Sequence, residues 1–326
     1  MTMTLDVHTT IVLASCVGAG LAIGMGAIGA AMGVGYTAGR ANEGIALAPE
    51  RSPIIFRNML IGQAVAESAG IFALVIAVLL IFLDMAGADL LKAAALLGAG
   101  ICMGSGAAGS GLGSGFPSGE CCVGLARQPA MSGRITTNML IGSAVSQTPA
   151  IFAMVIALML MFTDFGGMPL FPTWAALLGA GISTGFAAIG SGAGGGMAAG
   201  ASCEGVARNP ETFGQLTTTM LVGQAVAQTP AIFGLLISFV LMFKAFPEST
   251  AISAAMAPLA AGIAMGFGGL GPGLGNGITA QGAIKWISRN VEAAGPLTRT
   301  MLVGQAVSQS TAIYAMVVSL VLIFVV

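Results

Sequence analysis

Residues 59–82 read MLIGQAVAESAGIFALVIAVLLIF, and nearly the same letters return three times. They reappear at 139–162 (MLIGSAVSQTPAIFAMVIALMLMF), 220–243 (MLVGQAVAQTPAIFGLLISFVLMF) and 301–324 (MLVGQAVSQSTAIYAMVVSLVLIF). The spacings are 139 − 59 = 80, 220 − 139 = 81 and 301 − 220 = 81. A fixed period of that kind marks one supersecondary unit copied in tandem. Each copy exceeds the roughly 20 apolar residues that a helix needs to cross a bilayer.

A glycine-rich run precedes every copy. The runs are GAGLAIGMGAIGAAMGVG at 18–35, GAGICMGSGAAGSGLGSG at 98–115, GAGISTGFAAIGSGAGGG at 179–196 and AGIAMGFGGLGPGLGNG at 261–277. In water each glycine would weaken a helix by roughly 0.5–1 kcal/mol. In lipid the backbone has no other partner, so the helix persists and the missing side chains let neighbouring backbones approach. Gly20 and Gly24, Gly100 and Gly104, Gly181 and Gly185, and Gly262 and Gly266 are each one turn apart. That recurrence predicts a ring of inner helices rather than isolated helix pairs.

The unit is therefore a helix, a short polar loop and a second helix, giving eight membrane helices in an all-α chain. The hairpins are expected at 1–86, 87–167, 168–247 and 248–326. Composition agrees: of 326 residues 56% are apolar and 7% charged, against about 25% charged in soluble domains. The loops inside hairpins hold Arg40, Arg51, Arg57, Arg127, Arg134, Arg208, Lys285, Arg289 and Arg299, nine of eleven basic residues. Lys92 and Lys244 lie in the linkers. By the positive-inside rule the loops face the cytoplasm, with linkers and both termini on the other side. The N-terminus lacks a basic region and a cleavage site, so the first apolar run is expected to be a mature helix. The five cysteines have no metal-ligand spacing and are expected to be small, buried and unpaired. Trp174 and Trp286 sit where interfacial anchors belong, and Lys244 and Arg289 lie where long side chains snorkel. The linkers are expected at 84–91, 163–173 and 244–249.

Glu67 stands near the centre of the apolar stretch 54–83. An ionisable group at that depth is costly and marks a functional site. A carboxylic acid in oil favours its neutral or ion-paired form, and Glu67 is expected to rest in one or the other. The aligned positions are Gln147, Gln228 and Gln309. An amide has nearly the same shape and hydrogen-bonds, but it neither exchanges a proton nor neutralises a cation. No other acid replaces the missing carboxylates: Asp84, Asp89, Asp164 and Glu248 fall in linkers, and Glu43, Glu50, Glu120, Glu204, Glu211 and Glu292 in or near the loops.

Taken together, the glycine-rich first helix, the loop motifs Ala126-Arg127-Gln128-Pro129 and Ala207-Arg208-Asn209-Pro210, and GQAVAES at 62–68 resemble the c subunit (proteolipid) of F-type ATP synthases. The likeness covers the whole chain, as four fused copies forming a ring segment. It implies a non-catalytic rotor subunit without cofactor. Glu67 would be the ion-binding carboxylate, Gln63 and Ser68 its neighbours, and Gln147, Gln228 and Gln309 passive. Arg127, Gln128, Pro129, Arg208, Asn209 and Pro210 would touch the central stalk, and the outer helices would pass an arginine of the stator a subunit. The implied partners are copies of this chain or other c subunits and membrane lipids, with no nucleic acid. Loop 1 (Ala46-Leu47-Ala48-Pro49) and loop 4 (Ser288-Arg289-Asn290-Val291) depart from the motif.

Sodium-type members place Gln on the first helix where this chain has Val34, and Tyr where it has Phe72. Gln63 and Ser68 do match the sodium pattern, but the expected cargo is the proton, with sodium at Glu67 the alternative. Three such chains under a three-site motor would move one ion per ATP. At ~150–200 mV that supplies only about 3.5–4.6 kcal/mol, too little for synthesis, so a ring of this chain alone reads as a hydrolysis-driven pump. A ring mixed with Glu-bearing c subunits reads as a synthase. A V-type proteolipid, also fused and short of carboxylates, is set aside on the Arg-Gln-Pro loop. A repeat-built channel or transporter would use the polar, broken helices that Pro149 and Pro230 suggest, but here all repeats run in one direction. A phosphate-binding reading of the glycines fails for want of strands around them.

Overall fold

The computed structural model describes residues 6–83, 89–249 and 251–325. Its long helices are α1 (Val7–Leu47), α2 (Ser52–Phe82), α3 (Leu90–Arg127), α4 (Ser132–Phe162), α5 (Leu170–Arg208), α6 (Phe213–Phe243), α7 (Ile252–Ile287) and α8 (Ala294–Phe324). All eight are long and apolar enough to cross a membrane. No strand occurs among the described residues. The chain is a multi-pass membrane protein. Asp84 and the expected boundary at 86/87 lie outside the described residues.

The odd-numbered helices form an inner row, α1 on α3, α3 on α5 and α5 on α7. Each even-numbered helix packs against its own inner partner and against the inner helix that follows: α2 on α1 and α3, α4 on α3 and α5, α6 on α5 and α7. Helix α8 has only α7 behind it. The inner row is backbone against backbone. A Cβ on Gly100 would lie 2.1 Å from the Gly18 carbonyl oxygen. One on Gly181 would lie 2.2 Å from Gly98 O, and one on Gly262 2.2 Å from Gly179 O. Any larger residue would force the row apart. Apolar clusters fill the space between rows, with Ile76, Leu80, Ile156 and Leu160 on the linker side and Ile55, Ile135, Met139 and Leu216 on the loop side.

Helix α1 has 41 residues, about 60 Å at 1.5 Å per residue, twice the ~30 Å hydrocarbon layer. The helices therefore outrun the apolar layer, and the loop-side turns can carry charge.

All four loops adopt one shape despite their different letters. The residue before each 3-10 turn has nearly the same φ (Ala48 −149°, Gln128 −138°, Asn209 −135°, Asn290 −140°), although α7 ends earlier, at Ile287, with Ser288 still in the right-handed helical region. Loop 4 has no proline, and there the Asn290 side chain accepts a hydrogen bond from the Ala293 amide at 3.3 Å.

Three expectations need correction. The first linker ends before 91, because α3 begins at Leu90 and already includes Lys92. The second linker is shorter than 163–173, because α5 already begins at Leu170. Phe171 is non-helical (φ −101°, ψ 125°), and regular helix runs from Pro172, whose fixed φ suits a first turn. Cys16 is exposed on the open side of α1, whereas Cys102, Cys121, Cys122 and Cys203 are buried as expected, and all five are unpaired. Lys244 does more than snorkel. Its ammonium donates to the Ile323 carbonyl at the end of α8 and lies over the rings of Phe246 (4.9 Å) and Phe324 (4.8 Å).

Candidate functional site

Helix α2 places Glu67 at its midpoint, since 67 − 52 = 15 and 82 − 67 = 15. The side chain is exposed on the single chain and lines a groove of about 370 Å³ with Ile23, Ala30, Val34, Gly70, Ile71 and Leu74. Apart from the carboxyl, that lining is apolar side chain and glycine. Val34, at the position where a sodium site would place an oxygen ligand, offers no side-chain donor or acceptor. Phe72 packs into the apolar cluster on the linker side.

Neither expected neighbour bonds the carboxylate among the described residues. Ser68 Oγ donates to Val65 O, one turn back on its own helix, at 2.7 Å. Gln63 Nε2 donates across the hairpin to Val34 O at 3.3 Å. Its equivalents show what that residue does elsewhere. Gln224 Nε2 donates to Gly195 O in its own hairpin (3.0 Å) and to Gly142 O in the preceding one (2.9 Å). Gln305 repeats the pattern with Asn276 O (3.0 Å) and Gly223 O (3.0 Å). These amides pin each outer helix both to its inner partner and to the hairpin before it.

The three glutamines aligned with Glu67 are buried between hairpins. Gln147 Nε2 donates to Val65 O of hairpin 1 at 3.0 Å and to Ser114 Oγ of its own inner helix at 2.7 Å. Gln228 Nε2 donates to Val145 O of hairpin 2 at 2.8 Å. In hairpin 4 Asn276 is the relay: its Nδ2 donates to Gln309 Oε1 (2.8 Å) and reaches Val226 O of hairpin 3 (3.3 Å). The acceptors Val65, Val145 and Val226 all stand two residues before Glu67, Gln147 and Gln228. Every amide site thus reads the same carbonyl of the hairpin before it. Among the described residues no such carbonyl stands before Glu67.

Ser114 and Asn276 were not singled out from the sequence. Both were findable, because 114 − 34 = 80 and 276 − 195 = 81 put Val34, Ser114, Gly195 and Asn276 in register. The backbone carbonyls leave no letter to find.

The loop residues lie together at the other end. Arg127 ends α3, the Gln128 amide donates to Gly124 O (2.8 Å) and Pro129 opens the turn. Arg208 pairs with Glu204 one turn back at 2.9 Å, followed by Asn209 and Pro210. No group of three or more His, Cys, Asp or Glu residues able to hold a metal occurs among the described residues.

The family model for the ATP synthase c subunit matches the chain four times, at residues 17–80, 97–160, 178–241 and 259–322. Among curated proteins, the chain is 48% identical over 73 residues to the ATP synthase c subunit of Prochlorococcus marinus (strain AS9601), a match that covers 22% of this chain and 90% of that protein. It is 47% identical over 78 residues to the ATP synthase c subunit of Natranaerobius thermophilus, 24% of this chain and 90% of that one. The ATP synthase c subunit of Dehalococcoides mccartyi (strain BAV1) is 52% identical over 67 residues, 21% and 88%. Each relative is about one hairpin long, and this chain holds four.

Proposed function

The chain belongs to the ATP synthase c subunit family, and from that premise we propose that it is a rotor-ring subunit carrying protons on Glu67 alone. The observation that carries the reading is the shared acceptor. Two amides at the positions aligned with Glu67, those of Gln147 and Gln228, donate to the carbonyl two residues before the key residue of the preceding hairpin, and in hairpin 4 Asn276 reaches that carbonyl while also donating to Gln309 Oε1. For Glu67 the corresponding carbonyl is that of Val307, on α8 of the neighbour in a ring.

A protonated carboxyl has an O–H and donates there as an amide N–H does. A deprotonated one has no proton to donate and cannot keep that bond. Loss of the proton therefore unlocks the site, and regaining it relocks it. Glutamine has no such second state, so three hairpins stay locked through the turn. The apolar lining at Val34 and the position of Phe72 among apolar side chains support proton over sodium, because a sodium ion needs several oxygen ligands.

In this reading the outer helices pass the stator a subunit and Glu67 exchanges its proton there. The loops, with Arg127, Gln128, Pro129, Arg208, Asn209 and Pro210, bear on the central stalk from the cytoplasmic side, and both termini lie opposite. The chain makes and breaks no covalent bond itself. With one carrier per four hairpins, the gearing favours ATP-driven pumping against a steep gradient over synthesis.

Carbodiimide labelling tests this directly, since the reagent attacks protonated carboxyls in apolar surroundings. The expected product is one label per chain, on Glu67, unaffected by sodium. Protection by sodium would overturn the choice of ion, and label elsewhere would overturn the site.

A further inference from the structure

Pro149 and Pro230, which a transporter would use to break its helices, lie inside the continuous helices α4 and α6. Proline has no N–H, so the carbonyl four residues back in the helix loses its ladder partner. Those carbonyls are Val145 O and Val226 O. Both accept instead from the hairpin that follows, Val145 O from Gln228 Nε2 at 2.8 Å and Val226 O from Asn276 Nδ2 at 3.3 Å. Beside Pro149 a second backbone group leaves the ladder, since the Ala150 amide donates to Ser110 Oγ of α3 at 3.1 Å.

In the repeat register 149 − 69 = 80, 230 − 149 = 81 and 311 − 230 = 81, so Ala69 in α2 and Thr311 in α8 hold the prolines' position. Both have an N–H, and in these helices it reaches the carbonyl four back, Val65 O or Val307 O. A second donor of the same helix serves each. Ser68 Oγ bonds Val65 O and Ser310 Oγ bonds Val307 O, both at 2.7 Å. In α6 the residue aligned with them, Thr229, turns to Ala225 O instead, at 3.4 Å. The four acceptors are all valine carbonyls and differ in what else holds them. On α2 and α8 the carbonyl keeps donors of its own helix when a donor from another hairpin leaves. On α4 and α6 the ladder donor is missing.

We propose that Pro149 and Pro230 are positioning residues that make the junctions after hairpins 2 and 3 permanent. Each proline hands the next hairpin a carbonyl that has lost its helical partner. A buried carbonyl stripped of every donor is costly, so the amide that covers it does not leave. This rests on the rotor reading above and deepens it, because it names what keeps two of the passive junctions shut while the carrier's bond opens and closes. Val307 O, the acceptor proposed for Glu67, belongs to the other class and keeps its own-helix donors. The prolines thus sort the acceptors into fixed and releasable ones, a distinction that the valine letters do not carry.

The test is a coupling measurement on the full-length chain, unfolded by dodecyl sulfate in mixed micelles. With Pro149 in place, Gln228→Leu strands Val145 O and is expected to lower the folding constant roughly tenfold. In the Pro149→Ala background the new N–H takes that carbonyl, and Gln228→Leu is expected to cost less than about threefold. Equal costs in the two backgrounds would overturn the proposal, because independent sites add. A further variant separates the missing N–H from the shape of the ring. Lactic acid in place of Pro149, an ester-linked alanine without the N–H, is expected to restore the roughly tenfold cost of Gln228→Leu. A cost that stays below about threefold there would mean that the pyrrolidine ring only packs, and would overturn the proposal as well. Carbodiimide labelling of Glu67 reads the carrier role separately, so either reading can fail while the other stands.

Discussion

Hairpin 1 and hairpin 3 are the same object in backbone and differ at one atom that matters. In hairpin 3 the Gln228 amide donates to the Val145 carbonyl of its neighbour. In hairpin 1 Glu67 sits on the matching turn, exposed, with an open groove beside it. The comparison teaches that the fold supplies one standard acceptor at every junction. The side chain decides whether the bond to it is permanent or conditional.

The sharpest way to break the comparison is to make hairpin 1 like the rest. Glu67→Gln is expected to abolish ion transport by the assembled enzyme while leaving ring recovery close to wild type. Transport persisting in that variant would end the argument. The converse, Gln228→Glu, is expected to give a second carbodiimide site on each chain. It should also roughly halve the ion gradient at which ATP-driven pumping stalls, as two ions per chain share the work that one did. Label confined to Glu67 would show that a junction inside the chain does not admit exchange. A smaller effect is expected from Gln147→Ala, which removes the bonds to Val65 O and Ser114 Oγ. Interhelical hydrogen bonds in membranes average about 0.6 kcal/mol each, so a loss of about 1 kcal/mol is expected in the resistance of the ring to thermal dissociation in detergent. No change would mean that the amide spaces the helices without holding them.

The fold was legible almost entirely, because the 80- and 81-residue register and the apolar run lengths leave little freedom for eight membrane helices. Glu67 and its three amide replacements were legible for the same reason: one letter changes in a repeated string. What stayed hidden was physical rather than statistical. The acceptors are backbone carbonyls of Val65, Val145 and Val226, which every residue possesses. Ser114 and Asn276 sit among glycines, where a polar letter reads as one more small or helix-weakening residue. Gln63 matched an ion-site pattern, yet its amide spans to Val34 O and its equivalents serve as pins between hairpins. The start of α5 was missed because Pro172 reads as a linker residue, although proline is well placed in a first turn.

Fusing four hairpins also changes how such a ring can be counted. In a ring made of this chain alone, three of every four junctions would form within a single polypeptide, where tethering replaces a collision in the membrane by a high effective concentration. The number of hairpins can then change only four at a time. Curvature set by the glycine contacts must therefore close the circle on a multiple of four, so a slightly flatter or tighter packing angle cannot be relieved by adding or dropping one hairpin.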